Sequence, residues 1–273
     1  MYPYSIIFGI DLYTIFLCVG IIAALVTFRI FSDRMKMYWM LQNFTIITAV
    51  LSVVGGYGSA VLFQGFYNFL ADPSKGFVLD NRTGSTFYGG LIGGAATFLL
   101  IYFGIGALLF KDKIHSKSFF DVANIAAAAI AVAHAFGRLG CLMAGCCHGA
   151  KTDAWYGVYF VSYRVKAVPI QLFESIFLFA LFGLFCYRII RKKSCNLPLY
   201  MILYGAWRFF VEFLRGDDRG ATVVSFLTPS QLIAILMIIG SVALFFGERH
   251  IEKKQNACEN KAVEKKEDAN NEN

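Results

Sequence analysis

Residues 119–146 read FFDVANIAAAAIAVAHAFGRLGCLMAGC, an almost continuous apolar run. A helix that spans a membrane needs about 20 apolar residues, and this run is long enough although it contains Arg138. Similar runs lie at 5–28, 37–62, 86–110, 169–187, 198–214 and 229–247. The runs lack the alternating pattern of a membrane barrel. The sequence therefore predicts an all-α, polytopic integral membrane protein with seven transmembrane helices.

The composition agrees with a membrane protein and excludes several other classes. Hydrophobic residues make up 58% of the 273 residues and charged residues only 16%, against about 25% charged residues in soluble domains. These values exclude a disordered chain and an ordinary cytosolic enzyme. The seven cysteines are scattered along the chain, which excludes a secreted disulfide scaffold. The N-terminal run has no basic region before it and predicts a retained first span.

The distribution of basic residues predicts the orientation, because cytoplasmic loops carry an excess of lysine and arginine. We expect the N-terminus outside and the C-terminus in the cytoplasm. The basic residues follow the ends of the spans instead of clustering on one face, so no nucleic-acid partner is expected. The short loops 29–36, 111–118 and 188–197 carry ten of the 25 basic residues, and the longer loops 63–85, 147–168 and 215–228 carry seven.

The sequence also divides into two parts by polarity. Residues 1–247 contain all the apolar runs and are expected to form one transmembrane domain. Residues 248–273, ERHIEKKQNACENKAVEKKEDANNEN, are charged and poor in apolar side chains. Such a composition predicts a disordered cytoplasmic tail.

Two basic residues, Arg138 and Arg208, lie inside apolar runs instead of in loops. An arginine at the centre of a bilayer costs at least about 2.5 kcal/mol, so such residues usually face a bundle interior or a cavity. Their planar guanidinium groups match the oxygens of a phosphodiester, which predicts a phosphate site in the outer half of the membrane. Ion pairs that only hold helices together are the alternative. Polar residues at helical spacing from the arginines, or at the start of the fifth run, are His134, Tyr204, Glu212, Arg215, Gln171 and Glu174.

Cysteines are concentrated in GRLGCLMAGCCHGA, residues 137–150. Cys141, Cys146, Cys147 and His148 are residue types that bind soft metals such as zinc. Their C-x4-C-C-H spacing is not a standard zinc pattern, so no metal is predicted. A disulfide within this segment, or simple packing and contact with lipid headgroups, remains open.

Several motifs resemble those of the prolipoprotein diacylglyceryl transferase family. None of the motifs is decisive alone, but their order along the predicted spans is specific for the fold and superfamily. The resemblance covers nearly the whole chain up to about residue 247. The motifs are DLYTIFLCVG (11–20), GGYGSAVLFQ (55–64), FYGGLIGG (87–94), GRLGCLMAGCCHG (137–149), PIQLFE (169–174), YGAWRFFVEFLR (204–215) and LTPSQLIAILMIIG (227–240).

The chain also departs from the family pattern. Tyr88 stands where the family has a functionally important histidine, and Cys141 and Cys146 replace an asparagine and a glutamate of the signature. Val168 and Tyr57 replace a common histidine and a frequent arginine. The residues expected to face the phosphate are kept, so the chain resembles a divergent member of the family. They are Arg138, Arg208, Glu212 and Tyr204.

The resemblance implies an enzyme of the bacterial cell (inner or cytoplasmic) membrane. It would move the diacylglyceryl group of phosphatidylglycerol to the lipobox cysteine thiol of a prolipoprotein signal peptide, without a cofactor. The alternatives are a paralogue that uses another acceptor at the same phospholipid site and a non-catalytic lipid-binding protein. The expected catalytic residues are Arg138, Arg208, Tyr88 and Glu212, and the expected substrate-binding residues are Arg138, Tyr13, Tyr204, Gly149, Cys141, Gln171, Glu174 and Arg215.

Overall fold

The computed structural model describes residues 5–7, 9–80, 83–215 and 227–271. Within them, seven helical segments are long and apolar enough to cross a membrane, which confirms the predicted all-α class and the number of candidate spans. The orientation remains a prediction. The helices are α1 (Leu12–Arg34), α2 (Trp39–Ala71), α3 (Phe87–Leu99), α4 (Gly106–Leu109), α5 (Ile114–Lys117), α6 (Phe119–Ala144), α7 (Ile170–Ile190), α8 (Asn196–Val211) and α9 (Pro229–Asn271).

Helices α3 and α4 belong to one continuous apolar segment, Tyr88–Leu109. A π-helical turn, Leu100–Ile105, joins them. The described structure also contains two short hairpins. Strand β1 (Ser5–Ile7) pairs with β2 (Ile10–Asp11), and β3 (Val158–Phe160) pairs with β4 (Val165–Ala167), both antiparallel.

The chain forms two compact units, of which the smaller comprises residues 29–122. Helices α2 and α3 pack closely in this unit because glycines line their contact. A Cβ atom built on Gly56 would lie 3.0 Å from the carbonyl oxygen of Gly90, and one on Gly93 would lie 2.1 Å from the side chain of Ser59. Small residues allow such close approach of helices in a membrane. The unit also contains Tyr88, in the first turn of α3.

The larger unit comprises residues 1–28 and 123–273. Its helices also meet at glycines: a Cβ on Gly20 of α1 would lie 3.0 Å from the carbonyl oxygen of Ala133 in α6, and one on Gly205 of α8 would lie 3.1 Å from that of Ala234 in α9. The chain between α6 and α7 folds back through the β3–β4 hairpin. The backbone N–H of Gly149 donates to the carbonyl of Val168 at 2.9 Å.

At one end of the larger unit, a cluster of buried polar residues fixes the start of α8 to α6 and α9. Asn124 donates to Glu248 at 2.6 Å, and the backbone N–H groups of Cys195 and Asn196 donate to Glu248 and Asn124 at 2.9 and 2.6 Å. Glu248 is only 1% exposed. Although we assigned Glu248 to the tail from sequence, its side chain belongs to the packed helices.

The predicted disordered tail continues helix α9 in the structure as far as Asn271. The residues after Glu248 are rich in alanine, glutamate, glutamine and lysine, which all favour helices. This local preference accounts for the helix despite the lack of an apolar face. The division into a membrane domain and a separate tail at residue 247 remains a prediction.

Candidate functional site

The polar residues that the sequence places inside apolar runs come together in the larger unit, on α6, α7 and α8. Arg138, near the end of α6, lies with its Nε 3.0 Å from Oε1 of Glu174, in the first turns of α7. The Glu174 side chain is 1% exposed. A buried carboxylate requires a partner, and Arg138 supplies the positive charge.

Glu174 is also the acceptor for a tyrosine of α8. The hydroxyl of Tyr204 donates to Oε1 of Glu174 at 2.7 Å. His134, one turn before Arg138 on α6, lies with Nε2 3.4 Å from the Tyr204 hydroxyl and with Nδ1 3.1 Å from the Tyr200 hydroxyl. The rings of Tyr200 and Tyr204 are stacked. The buried group therefore joins three helices through one carboxylate.

Arg208, one turn after Tyr204 on α8, makes a second buried ion pair. Its Nη2 lies 3.0 Å from Oε2 of Glu212 and donates to the hydroxyl of Ser230, at the start of α9, at 2.8 Å. Glu212 also accepts a hydrogen bond from the Thr228 hydroxyl at 3.1 Å. Within the described residues, the buried Nη1 of Arg208 has no hydrogen-bond partner. A donor of this guanidinium thus remains available for an anion.

The two ion pairs belong to one electrostatic group. Both Arg138 and Arg208 interact with the charge of Glu174 and with Tyr204. The alternative considered from the sequence, an ion pair between Arg208 and Glu212, is present in the structure. It does not use all the donors of Arg208, so a structural ion pair and an anion site are compatible here.

Polar side chains from α7 and from the turn that follows α8 hold the segment after α6. Gln171 donates to the carbonyl of Cys146, and Arg215 donates to the carbonyl of Cys147 at 3.3 Å. Gly149 lies in a tight space, because a Cβ atom there would lie 2.6 Å from the side chain of Ile170 and 2.9 Å from the carbonyl oxygen of Leu214. Any larger residue at position 149 would displace the segment.

This segment brings three thiols together. The Sγ atoms of Cys141, Cys146 and Cys147 all lie within 4.8 Å of one another, and the three residues are partly buried free cysteines. The disulfide left open by the sequence is absent from these described residues. Hydrogen bonds from the Cys141 and Cys146 thiols, together with the charges of Arg138 and Arg215, hold the pKa of the Cys147 thiol well below its usual range.

Tyr13 joins the thiol cluster from α1. A Cβ atom on Gly140 would lie 3.2 Å from both the ring and the carbonyl oxygen of Tyr13, so α1 and α6 are in close contact there. Tyr13 interacts electrostatically with the three thiols and with Arg138. Tyr88, which the sequence also predicted for this site, belongs to the smaller unit.

The sequence did not identify every member of this group. Tyr200 was missed, although it lies one helical turn before Tyr204. Ser230 and Thr228 were also missed as partners of the ion pair, although the motif LTPSQLIAILMIIG contains both. Their hydroxyl groups gave no signal of their own, because serine and threonine at the start of a helix are usually caps.

Comparison with known proteins agrees with the motifs. The model of the prolipoprotein diacylglyceryl transferase family matches residues 3–247. A Clostridium perfringens protein named phosphatidylglycerol–prolipoprotein diacylglyceryl transferase 2 is 36% identical over 250 residues, which are 88% of this chain and 92% of that protein. Proteins named phosphatidylglycerol–prolipoprotein diacylglyceryl transferase from Clostridium tetani and Francisella tularensis subsp. novicida are each 31% identical, over 88% and 80% of this chain and 94% and 79% of their own lengths. The chain therefore belongs to the prolipoprotein diacylglyceryl transferase family.

Proposed function

We propose that this chain moves the diacylglyceryl group of phosphatidylglycerol to the lipobox cysteine thiol of prolipoprotein signal peptides. Family membership over nearly the whole chain supports this proposal, as do the names of the similar proteins. The seven apolar helical segments of the described residues agree with a multi-pass protein. We place it in the bacterial inner or cytoplasmic membrane.

The observation that carries the proposal is the pair of guanidinium groups on α6 and α8. Arg138 and Arg208 both interact with Glu174, and Nη1 of Arg208 is buried without a partner among the described residues. Two arginines can hold the phosphate of one lipid headgroup. They would also stabilise the negative charge that develops on the leaving glycerol phosphate.

In this mechanism the carboxylates are positioning groups. Glu212 would hold Arg208 toward the headgroup, and Glu174 and Tyr204 would hold Arg138. The nucleophile is the acceptor thiolate, which attacks the glycerol carbon as the carbon–oxygen bond to the phosphate breaks. A free thiol is largely protonated near neutral pH, so the site must also favour loss of this proton. The candidate acceptors for this proton are the Tyr88 hydroxyl, His148 and a phosphate oxygen of the lipid itself.

The remaining predicted substrate contacts surround the segment after α6. We propose that the lipid and the signal peptide meet there, at the outer half of the membrane, with the N-terminus outside and the C-terminus in the cytoplasm. The lipid would then enter from the outer leaflet. We propose no nucleic-acid partner. The residues are Tyr13, Cys141, Gly149, Gln171 and Arg215.

The proposal can be tested with purified full-length protein in vesicles that contain labelled phosphatidylglycerol. Addition of a peptide with a lipobox cysteine should give lipidated peptide and released glycerol phosphate. Replacement of either arginine, Arg138→Ala or Arg208→Ala, should lower the rate on the order of 100-fold or more. Arg249→Ala is a matched control, because the Arg249 side chain is 52% exposed in a surface ion pair.

Two results would contradict the proposal. One is undiminished lipidation by either arginine variant, which would remove the phosphate site from the mechanism. The other is bound but intact phospholipid in the wild-type protein at all peptide concentrations, which would favour a lipid-binding protein.

A further inference from the structure

The three thiols after α6 have a donor arrangement that the lipid-transfer mechanism does not use. Their Sγ atoms lie within 4.8 Å of one another. In a tetrahedral zinc site with zinc–sulfur bonds of about 2.3 Å, the sulfurs are about 3.8 Å apart. Small side-chain rotations of Cys141, Cys146 and Cys147 would reach this separation.

The backbone holds the thiols in this arrangement. Gly145 follows the last residue of α6 with a φ of +77°, which reverses the chain. Cys147 has a φ of +61°, a conformation that a residue with a side chain rarely adopts. Hydrogen bonds from Gln171 to Cys146 and from Arg215 to Cys147 secure the turn. Backbone strain of this kind is frequent at ligand sites.

The surroundings suit a cation with anionic sulfur ligands. All three cysteines are partly buried, so an ion can reach them while the protein still excludes bulk water. Arg138 and Arg215 both interact electrostatically with Cys147, and their charge would compensate the thiolates. A disulfide would use only two of the sulfurs, whereas a metal uses all three.

We propose that Cys141, Cys146 and Cys147 form a three-thiolate site for a soft divalent cation of the zinc class, with a fourth coordination position open. The site revises the expectation from sequence spacing that no metal is bound. His148 is not a ligand in this arrangement, because the donor atoms that lie within 4.8 Å of one another in the described residues are the three Sγ atoms and no ring nitrogen. Three protein ligands with an open position are typical of catalytic zinc sites.

The open coordination position would activate the acceptor thiol, a role that rests on the proposed function. A thiol that binds zinc is deprotonated, so the acceptor cysteine would lose its proton to solvent when its sulfur takes the fourth position. The electron pair of this sulfur then forms the bond to the glycerol carbon. The carbon–oxygen bond breaks, and its electron pair leaves with the phosphate of the glycerol phosphate. The metal keeps its oxidation state and its three cysteine ligands.

Metal binding can be tested directly on the reduced, metal-stripped, full-length protein in detergent. Titration with zinc against a chromophoric chelator should give one zinc per chain, and cobalt should give a sulfur-to-cobalt charge-transfer band. Cys141→Ser, Cys146→Ser and Cys147→Ser should each weaken binding by at least ~10-fold, in line with the loss of a ligand. Cys186→Ser is the matched control, because Cys186 is also partly buried but lies on α7, outside the cluster.

The serine variants must retain the gel-filtration profile of the wild-type protein. The zinc stoichiometry and the cobalt band of the wild-type protein do not depend on how the variants fold. Absence of stoichiometric zinc and of the cobalt band in the reduced wild-type protein would overturn the site. Equal zinc affinity of the wild type and the triple serine variant would also overturn it.

The role of the open position is tested by adding a lipobox peptide to the cobalt-loaded protein. A cysteine peptide should shift the charge-transfer band, and the same peptide with serine should not. No difference between the peptides, or lipid transfer at full rate by metal-free protein, would overturn the role in thiol activation. Failure of the proposed function would appear differently, as a lack of lipid transfer by both metal-free and metal-loaded protein.

Discussion

Two buried carboxylates of the larger unit, Glu248 and Glu174, are stabilised by different kinds of partner. Glu248 accepts hydrogen bonds from the Asn124 amide and the backbone N–H of Cys195, and within the described residues it forms no ion pair with a basic side chain. Glu174 lies 3.0 Å from Arg138 and accepts a hydrogen bond from Tyr204. The Glu248 cluster only connects the start of α8 to α6 and α9. The Glu174 group includes permanent positive charge in an apolar segment, where such a charge is costly and usually functional.

The two groups also differ in whether their buried polar atoms all have hydrogen-bond partners. Around Glu174 and the segment after α6, buried polar atoms of Arg208 and Gln171 lack partners within the described part of the chain. The three polar residues of the Glu248 cluster, Asn124, Asn196 and Glu248, have no such atom there. Buried polar atoms are nearly always paired, so unpaired ones near two arginines indicate a place where a polar ligand binds.

The first prediction concerns a substitution that removes the carboxylate from the charged group. Glu174→Ala should lower the free energy of unfolding by about 3–5 kcal/mol, because it leaves Arg138 buried without a compensating charge. Thermal unfolding in detergent measures the loss. A double variant, Arg138→Leu with Glu174→Leu, should be less destabilised than Glu174→Ala. Equal destabilisation would show that the ion pair is not the cause.

The second prediction concerns a substitution that keeps the positive charge at position 208 but changes the shape of the group that carries it. Arg208→Lys should lower the lipid-transfer rate on the order of 100-fold, which corresponds to about 2.7 kcal/mol. An ammonium group cannot reproduce the planar fork of a guanidinium. The rate is measured in the vesicle assay at saturating phosphatidylglycerol. Wild-type activity in this variant would mean that the charge alone is sufficient.

The third prediction addresses the uncharged cluster. Glu248→Ala should lower the free energy of unfolding by about 1–3 kcal/mol, because the buried donors of Asn124 and Cys195 lose their acceptor. The lipid-transfer rate of the folded protein at low temperature should not change. Unfolding and activity are measured on the same preparation. A large loss of activity without a loss of stability would place Glu248 in the functional group.

The fourth prediction concerns the edge of the charged group. Tyr200→Phe should lower stability by about 0.5–1.5 kcal/mol, since it removes one hydrogen bond to His134 and keeps the ring stack with Tyr204. Tyr187→Phe is a matched control, because the Tyr187 ring on α7 is 57% exposed. Thermal unfolding compares the two variants. A larger loss in the control would contradict a role of the His134 hydrogen bond.

The motifs predicted the family correctly, and the two intramembrane arginines led directly to the charged group. Arg138 and Arg208 stand out in sequence because a charge in an apolar run is unexpected. Glu174 and Tyr204 lie at recognisable positions in the motifs PIQLFE and YGAWRFFVEFLR. Tyr200 and Ser230 could not be recognised, because nothing in their local sequence distinguishes a hydrogen-bonding partner from a packing residue or a cap.

The sequence by itself determined the seven apolar helical segments, because membrane spans depend on length and hydrophobicity, which are local properties. It also determined which charges must be buried. Only the tertiary structure decided the partners of these charges, the burial of Glu248 and the meeting of three thiols beside Arg138 and Arg215. These depend on contacts between distant segments and on a positive φ at Cys147, which residue types and their spacing do not specify.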